Sequence, residues 1–460
     1  MSVLWTKDQA VAATGGTCAA DWQASGVSID TRSLQKGDLF VALTDARDGH
    51  DFVAQALEKG AAAALVSRIP DGVSADAPLL IVDDVLQGLE AMGVAARARI
   101  SGKVIGVTGS VGKTGTKEML RTALKGQGRV HAAQNSYNNH WGVPLTLARM
   151  PQDTEFAVIE IGMNHAGEIK PLARMADLDV ALITNVAPVH LAAFSGVEEI
   201  ALAKAEIFEG LKRGGTAVLN ADIDTLAILQ DAAENAGAQI VTFGGAKNAN
   251  FRLLGAYVSD DATKVVFDLA GQKIDYRLAA PGAHLAMNSL AVLAACDAVG
   301  ADFNRCLANL ATWTTPAGRG KRETVQMQDG ITIELIDEGF NANPTSMAAA
   351  LDVLAQLHTK GRKVVILGDM LELGKTEKDL HKALADLASL KKMDVIHLVG
   401  PLMKGLYAAL PKANRGLWVK NADQTAQIIE LIKPHDIVMV KGSKGSKVSK
   451  IVDAIRKTSA

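Results

Sequence analysis

The sequence predicts an α/β fold divided into three domains, and three observations lead to this prediction. The chain has 460 residues, more than a single hydrophobic core usually organises at about 150 residues per domain. Short continuous apolar runs alternate with segments of helical periodicity, a pattern typical of parallel sheets with helices on both faces. Polar stretches near residue 100 and at 314–322 interrupt the pattern, and we place the domain boundaries there.

The first domain, residues 1–100, is predicted to be a small α/β unit. Residues 37–43 have strand character, and residues 50–60 have helical spacing that ends on a glycine. The apolar run "LLIV" is a further strand, and a helix over 83–99 leads out of the domain.

The central domain, residues 101–314, opens with a strand, a glycine-containing loop and a helix within "KVIGVTGSVGKTGTKEML". Later runs repeat the buried-strand pattern, at 156–162, 180–186 and 215–220. Residues 252–279 alternate between apolar and polar, which predicts antiparallel strands, before a helix over 284–300. The sequence therefore predicts a mainly parallel sheet with an antiparallel extension.

The third domain, residues 315–460, repeats the alternation of buried strands and helices. Its strands are predicted in "ITIELIDEG", "KVVILGDM", "DVIHLVG" and "DIVMVKGS", with a helix in "EKDLHKALADLASL". This order predicts a second wound parallel sheet of the Rossmann-like type.

Composition excludes several classes of partner. The 48 basic and 50 acidic side chains give a net charge of −2, so the chain has no overall field to attract nucleic acid or an anionic membrane. Four lysines at 440–450 have no interleaved aromatic residues, which argues against a nucleic-acid site there. Three scattered cysteines, no signal peptide and no apolar run of about 18 residues predict a cytoplasmic protein without disulfides or a membrane partner.

The stretch "GVTGSVGKTGTKEML" predicts a nucleotide site, although its glycine spacing is unusual. The standard phosphate loop, G-x-x-x-x-G-K-[ST], requires glycine where Val107 stands. A loop between a buried strand and a helix still turns backbone N–H groups toward phosphate, and glycine permits the close approach. Lys113 is expected to reach the β- and γ-phosphates of ATP, and Thr114 to offer its hydroxyl to Mg²⁺. The predicted loop is Thr108, Gly109, Ser110, Val111, Gly112, Lys113 and Thr114.

Glu160 is a second candidate metal ligand. It lies at the carboxyl end of the strand in "FAVIEIGMNHAGEI", where a carboxylate can hold Mg²⁺ directly or through water. Taken alone, a glutamate there is more often a solvated residue at the rim of a sheet, but the neighbouring phosphate loop favours the metal role. No guanine-reading N-K-x-D motif is found, so a GTPase is not predicted.

Taken together, the motifs resemble those of the Mur ligases of peptidoglycan synthesis over essentially the whole chain. The shared stretches, in order, are "TGSVGKT", "NSYNNHWGVPLTL", "EIGMNHAGEI", "TNVAPVHL", "AKAEIF", "GAHLAMNSL", "NANP", "LGDMLELG" and "VKGSKGS". Within the family, "GMNHAGEI" and "GDMLELG" resemble the member that joins D-alanyl-D-alanine to UDP-N-acetylmuramoyl-tripeptide, and the D-N-P-R motif of the preceding ligase is absent. The resemblance implies an ATP-dependent amide ligase that works through an acyl phosphate, as a monomer.

The resemblance also implies roles for individual residues. Thr114 and Glu160 would hold one Mg²⁺, and His190 and Lys204 a second. Because a protonated lysine cannot bind a metal, Lys204 would be carbamylated, as is typical of the family. The implied catalytic groups are Lys113, His190, Lys204 and Arg319, and the implied ATP contacts beyond the loop are Asn138, Asn139, Asn288, Arg319, Asp337 and Asn341. The implied contacts to the UDP-sugar are Ser28, Thr31, Arg32, Asp48, Gly49 and His50.

The sequence departs from the family pattern at one place and leaves some alternatives open. The family more often has D-S-Y before N-A-N-P, whereas this chain has Glu338, Gly339 and Phe340, which keeps the ring but loses the hydroxyl. A related ligase with another carboxylate substrate, such as a folate polyglutamyl ligase, is one alternative, and an ATP-driven binding switch without an acyl product is another. The third residue of the tripeptide, diaminopimelate or lysine, is also left open.

Overall fold

The computed structural model describes residues 3–189, 191–327, 330–424 and 426–458. Within them lie three sheets whose strands are wholly or mainly parallel, each packed against helices, along with a short antiparallel ribbon. The α/β fold class predicted from the alternating pattern is therefore confirmed. No helix within these ranges is both long enough and apolar enough to span a membrane.

The N-terminal sheet has the parallel order β3-β4-β5-β6, and β1 and β2 form a separate antiparallel ribbon. The strands are β1 (Trp5–Thr6), β2 (Gln23–Ala24), β3 (Gly26–Ser28), β4 (Asp38–Val41), β5 (Ala63–Val66) and β6 (Leu79–Ile81), and the helices are α1 (Lys7–Thr14), α2 (Val53–Glu58) and α3 (Val85–Ala98). A capping box fixes the start of α1, where Thr6 and Gln9 exchange side-chain and backbone hydrogen bonds. The predicted helix over 50–60 begins as one 3₁₀ turn, Gly49–Phe52, before α2.

The central sheet has the order β15-β14-β13-β12-β11-β10-β7-β9-β8. Its strands are β7 (Lys103–Thr108), β8 (Val130–Ala132), β9 (Phe156–Glu160), β10 (Leu178–Ile183), β11 (Leu211–Asn220), β12 (Gln239–Gly244), β13 (Phe251–Val258), β14 (Thr263–Leu269) and β15 (Gln272–Leu278). Its helices are α4 (Lys113–Ala123), α5 (Gly142–Ala148), α6 (Ile169–Ala176), α7 (Val197–Ala205), α8 (Leu226–Asn235), α9 (Ala283–Ala298) and α10 (Phe303–Leu310). Pairing is parallel from β8 to β13 and antiparallel through β15, as the change in sequence pattern predicted.

The C-terminal sheet has the order β16-β17-β21-β18-β19-β20, parallel except for the edge pair β16–β17. Its strands are β16 (Lys321–Gln326), β17 (Thr332–Glu338), β18 (Lys363–Gly368), β19 (Val395–Val399), β20 (Arg415–Val419) and β21 (Ile437–Lys441). Its helices are α11 (Pro344–Gln356), α12 (Glu377–Ala383), α13 (Lys404–Ala409), α14 (Ala426–Ile429) and α15 (Ser449–Lys457).

Polar contacts hold the N-terminal and C-terminal sheets against the central one. On the N-terminal side, Trp5 Nε1 donates to the carbonyl of Ala148 at 2.8 Å. On the C-terminal side, the turn between β13 and β14 presents Asp260, whose Oδ1 accepts from the backbone N–H of His358 at 2.8 Å. The carbonyl of Asp260 also accepts from Arg322 Nη1. The C-terminal sheet is therefore seated next to the central one, and a cleft runs between them.

The strand order explains where polar side chains gather. In the central sheet β10, β7 and β9 are neighbours, and all three run parallel. Their carboxyl ends therefore lie at one edge, which is where wound α/β sheets bind ligands. Thr108 and Glu160 are the last residues of β7 and β9, and Thr184 directly follows β10. These residues begin the site described next.

Candidate active site

A cleft of about 950 Å³ opens at the carboxyl edge of the central sheet and is closed on its far side by the C-terminal domain. Many of the residues singled out from the sequence line it: Ser110, Val111, Gly112, Lys113, Thr114, Asn138, Asn139, Glu160, Asn288, Arg319 and Asn341. Four others, Thr108, Gly109, Lys204 and Asp337, are not among its described lining residues. The structure thus brings together residues more than 200 positions apart in the chain.

The phosphate loop has the backbone that its glycines allow. Gly109 and Gly112 have φ values of +146° and +89°, conformations that L side chains rarely adopt. A Cβ at Gly109 would overlap the hydroxyl of Thr184, and one at Gly112 would lie 3.0 Å from Nδ2 of Asn288. Both positions therefore favour glycine for conformation, and Gly109 also requires it for space.

The end of β10 braces this loop, a feature that the sequence analysis missed. Asn185 accepts from Ser110 N–H through its carbonyl and from Val111 N–H through Oδ1, both at 3.0 Å. Thr184 Oγ1 donates to the carbonyl of Val111 at 2.6 Å. The usable signal was the position of Thr184 and Asn185 directly after a buried parallel strand.

The N-terminus of α4 remains available for phosphate. Gly112 caps the helix without a side-chain hydrogen bond, so the first N–H groups of α4 have no capping acceptor. Helix N-termini with such groups attract anions through these donors and through the helix dipole. The N–H groups of Ser110 and Val111 already donate to Asn185. The donors that can face a phosphate are therefore those at the start of α4.

Lys113 extends from the first residue of α4 into the cleft. Its Nζ donates to the carbonyl of Gly109 at 2.7 Å, within its own loop. Burial lowers the pKa of the Lys113 ammonium, the carboxylate of Glu160 opposes this and the charge of Arg319 adds to it, and together they bring the pKa to about 8. An anionic phosphate would favour the protonated form of Lys113, which has no ion pair among the described residues.

Thr114, Ser136, Asn138 and Glu160 form a polar cluster beside Lys113. Oε1 of Glu160 accepts from Thr114 Oγ1 at 3.0 Å and from Asn138 Nδ2 at 2.7 Å. Ser136 Oγ lies 3.0 Å from Thr114 Oγ1, a neighbour that the sequence analysis did not single out. The cluster orients Oε1 of the Glu160 carboxylate through two hydrogen bonds but donates no hydrogen bond to Oε2.

The second oxygen of Glu160 shows whether this cluster fits a divalent cation. Glu160 is only 1% exposed, and its Oε2 is buried without a hydrogen-bond partner in the described part of the chain. A buried carboxylate oxygen with no partner is costly unless a ligand pairs with it. Hydroxyl and carboxylate oxygens are the donors that Mg²⁺ prefers, so the residues present fit this ion. Over the same described ranges, no group of three or more His, Cys, Asp and Glu side chains is arranged to hold a metal.

Lys204 lies at the end of α7 and is 2% exposed. Burial and the nearby charge of Lys113 lower its pKa well below the ordinary value. Within the ranges described, its Nζ has no recorded hydrogen bond or ion pair. His190, the other expected ligand of a second metal, lies outside the described residues.

The C-terminal domain contributes Arg319, Phe340 and Asn341 to the cleft but directs Asp337 elsewhere. Arg319 Nη2 donates to Thr114 Oγ1 at 3.2 Å, which links the interdomain connection to the phosphate loop. Asp337 Oδ2 instead pairs with Arg456 of α15 at 3.2 Å. The structure thus keeps Asp337 in an internal ion pair, away from the lining of the cleft.

A second pair was also missed. Lys441 is 2% exposed, and its Nζ lies 3.0 Å from Oε2 of Glu338 and donates to the carbonyl of Asn341 at 3.0 Å. Glu338 is the residue that stands where the family more often has aspartate. The pair holds the stretch before "NANP" against the end of β21.

The residues expected to bind the UDP-sugar lie in the N-terminal domain, outside the described lining of this cleft. Ser28 and Thr31 are buried near the end of β3, and Arg32 forms an ion pair with Asp30 at 2.6 Å. Arg68, at 2.6 Å, holds the pKa of the Asp48 carboxyl well below its usual range, together with hydrogen bonds from His50. Gly49 allows the tight turn between Asp48 and His50, since a Cβ at Gly49 would overlap the carbonyl of Leu43.

The whole chain is similar to known proteins. Residues 23–99 match the Mur ligase family, catalytic domain; residues 107–296 match the Mur ligase middle domain; and residues 322–444 match the Mur ligase, glutamate ligase domain. The UDP-N-acetylmuramoyl-tripeptide–D-alanyl-D-alanine ligase of Rickettsia prowazekii is 32% identical over 453 residues, covering 98% of this chain and 99% of that protein. The ligase of the same name from Bacillus subtilis is 35% identical, covering 93% of this chain and 92% of its own.

Solved structures agree with the sequence relatives. MurF from Acinetobacter baumannii is 28% identical with a TM-score of 0.84, covering 98% of this chain and 99% of that one. MurF ligase from Thermotoga maritima, solved in complex with ADP, is 25% identical with a TM-score of 0.78, covering 94% of this chain and 97% of that one. Because relatives above 30% identity match it from end to end, the chain belongs to the Mur ligase family.

Proposed function

We propose that this protein is an ATP-dependent amide ligase that joins D-alanyl-D-alanine to the terminal carboxylate of UDP-N-acetylmuramoyl-tripeptide. The observation that carries the proposal is the cleft itself, in which a phosphate loop and Glu160 face residues of the C-terminal domain. The end-to-end relatives named for this reaction, and the Thermotoga maritima structure with ADP, support this choice of substrates and nucleotide.

The chemistry requires activation of a carboxylate, which is a poor electrophile at neutral pH. Its oxygen attacks the γ-phosphorus of ATP, giving an acyl phosphate and ADP. The amine of D-alanyl-D-alanine then attacks the acyl carbon, and the tetrahedral intermediate expels phosphate and loses a proton to leave the amide. Two anions 4 Å apart repel by ~4 kcal/mol at an effective dielectric of 20, so cationic groups are needed at the first step.

Lys113 and Arg319 are the cations that this chain supplies. Lys113 lies in the loop and would contact the β- and γ-phosphates, and Arg319 would approach them from the interdomain connection. The guanidinium fork is suited to phosphate oxygens because it offers parallel N–H donors. Asn138, Asn139, Asn288 and Asn341 line the same cleft and are proposed contacts to the nucleotide or the acyl group.

Thr114 and Glu160 are the residues proposed to hold Mg²⁺. When bound, the ion would neutralise charge on the phosphate oxygens and so ease the approach of the carboxylate. Ser136 and Asn138 orient these two ligands through the hydrogen bonds described above. Oε2 of Glu160 supports this proposal, because it is buried and accepts no hydrogen bond from the described residues.

We also propose that Lys204 is carbamylated. Its buried amine is easily deprotonated, and the neutral amine is the form that adds CO₂ to give a carbamate and release a proton. The product is an anion, which would sit favourably near the Lys113 ammonium, whereas a second ammonium would not.

Labelling with ¹³C-bicarbonate tests the modification of Lys204. The wild-type protein is expected to show a carbamate carbon signal in its NMR spectrum, and the Lys204→Arg variant to lack it, because a guanidinium does not add CO₂. Identical spectra of the two proteins would refute the modification.

The proposed division of labour follows the three domains, with boundaries proposed at 1–100, 101–314 and 315–460. The N-terminal domain would hold the UDP-sugar through Ser28, Thr31, Arg32 and the Asp48–His50 turn. The central domain would bind ATP, and the C-terminal domain would close over it and exclude water that hydrolyses an acyl phosphate. We propose that one chain suffices for the reaction, because all three parts lie in one chain.

Phosphate release from ATP tests the reaction when each substrate is omitted in turn. We expect steady release only with both UDP-N-acetylmuramoyl-tripeptide and D-alanyl-D-alanine, and a product heavier by the dipeptide. Parallel assays with diaminopimelate and with lysine as the third residue measure the preference at that position. Steady release with neither substrate would contradict the ligase and favour an ATP-driven switch, and activity only with folyl substrates would favour the other ligase class.

A further inference from the structure

Phe340 contacts the side chain of Arg319. The guanidinium carbon of Arg319 lies 4.4 Å from the centroid of the Phe340 ring, within the range of a cation–π interaction. At its other edge, Nη2 of the same guanidinium donates to Thr114 Oγ1. One arginine is thus held by an aromatic face from the C-terminal domain and by a hydroxyl of the phosphate loop.

The turn before β16 shapes this stack. Gly318 has a φ of +72°, and a Cβ at this position would lie 3.1 Å from Cβ of Phe340. The N–H of Gly320 donates to the carbonyl of Asp337 at 2.8 Å, which fixes the turn to β17. Arg319, just before β16, and Phe340, just after β17, therefore lie at the same end of this antiparallel pair, and Gly318 lets the two segments approach closely.

The charge of Arg319 is still available to a ligand. In the described parts of the chain Arg319 has no ion pair within 4 Å, although Glu160 and Glu338 lie near enough to raise its pKa against the larger, lowering effect of burial. Stacking occupies the face of the guanidinium and leaves N–H groups at its edge free to donate. A cation–π interaction stabilises a desolvated cation more than it stabilises a cation exposed to solvent.

We infer that Phe340 is a positioning residue for Arg319, and this inference rests on the proposed function. The ring fixes the plane of the guanidinium so that its edge points to the phosphates of ATP. Because Phe340 belongs to the C-terminal domain and Thr114 to the central one, Arg319 is fully held only when the two domains meet. The contact uses the ring and not a hydroxyl, so the absence of the family's tyrosine hydroxyl leaves it intact.

Substitution of Phe340 tests this role in the complete protein with ATP and both substrates. Phe340→Leu is expected to lower kcat by about 2- to 30-fold, with the KM for UDP-N-acetylmuramoyl-tripeptide unchanged, because only the ring is lost. Phe340→Met gives a second flexible apolar replacement if the leucine variant does not fold. Phe340→Tyr keeps the ring and is expected to retain the wild-type rate. Tyr407→Leu is the matched control, since Tyr407 stacks on Arg415 at 4.9 Å in the same domain, away from the cleft.

A double-mutant cycle separates positioning from a general loss of structure. If the ring acts through Arg319, Phe340→Leu is expected to have no further effect on the residual rate of Arg319→Ala. Equal losses in both backgrounds, or a wild-type rate in Phe340→Leu, would overturn the inference.

The affinity for a non-hydrolysable ATP analogue tests the role of Phe340 without requiring the proposed reaction to occur. If the wild-type protein releases no phosphate with both substrates, the proposed function fails, and the stack is then tested by analogue affinity alone. Phe340→Leu is expected to weaken analogue binding by about 2- to 30-fold and to spare ADP, because Arg319 is aimed at the terminal phosphate. Unchanged analogue affinity in that variant would count against the stack.

Discussion

Replacing Lys113 by methionine is expected to lower kcat for phosphate release by about 10²- to 10³-fold, the usual cost of losing a group that stabilises transition-state charge. Methionine keeps an unbranched apolar stem but removes the ammonium of the first residue of α4. Steady-state kinetics with ATP and both substrates measures the loss. A wild-type rate in this variant would remove Lys113 from the mechanism.

The pH dependence of ADP binding provides an independent measurement on the same side chain. Burial lowers the pKa of Lys113 to about 8 in the free protein, and phosphate favours its protonated form. Below pH 8 the ammonium is already present, so affinity changes little. Above pH 8 binding must take up a proton, and affinity is expected to fall by up to about tenfold per pH unit. Calorimetry should show this fall in the wild-type protein and not in Lys113→Met.

The thermal stability of Lys113→Met shows whether its loss of activity comes from a loss of folded structure. A lysine whose pKa is lowered on folding destabilises the folded state at pH values where the ammonium is forced to stay buried. Lys113→Met is therefore expected to melt at or above the wild-type temperature at pH 7. A marked loss of thermal stability would mean that the lost activity reports on folding.

Replacing Glu160 by glutamine is expected to raise the Mg²⁺ concentration for half-maximal activity by at least about 10- to 100-fold, the range seen when the support of a metal ligand is lost. The amide keeps an oxygen for Asn138 and Thr114 but removes the charge of the buried carboxylate. Phosphate release measured over a range of Mg²⁺ concentrations reports this shift.

Glu155→Gln is the matched control for Glu160→Gln. Glu155 is an exposed carboxylate next to the opposite end of β9, so the same chemical change is made far from the cleft. Its Mg²⁺ dependence is expected to follow that of the wild-type protein. If Glu160→Gln also superimposes on the wild-type curve, Glu160 does not hold the ion.

Much of the fold was predictable because buried parallel strands are continuous apolar runs. The runs that became β7, β9 and β10 were recognised, and so was the antiparallel character of β13–β15. Strands β8, β12, β16 and β20 were not singled out. Strands β8, β16 and β20 lie at sheet edges and have mixed sequences, as the half-exposed residues of β8 and β20 illustrate, whereas β12 is an interior strand with exposed or half-buried residues in its first half. Strand identity there depends on neighbours and not on the local pattern.

The candidate site was predictable in part for a similar reason. The phosphate loop is encoded by local backbone requirements, namely glycines at positive φ followed by a helix N-terminus. The position of Asn185 after a buried strand indicates the ligand-binding edge of the sheet, but it does not show that Asn185 accepts from two N–H groups of that loop, one of them 74 positions away at Val111. Ser136 was missed for the same reason.

By itself the sequence determined the α/β class, the phosphate loop, the strand-end position of Glu160 and the family. Each of these depends on residues close together in the chain or on an ordered set of short motifs. Only the tertiary structure decided the partner of each charged side chain: Asp337 pairs with Arg456, Glu338 pairs with Lys441, and Arg319 stacks on Phe340. The physical reason is that electrostatic and stacking energies depend on distances in space, and only folding sets those distances for residues far apart in the chain.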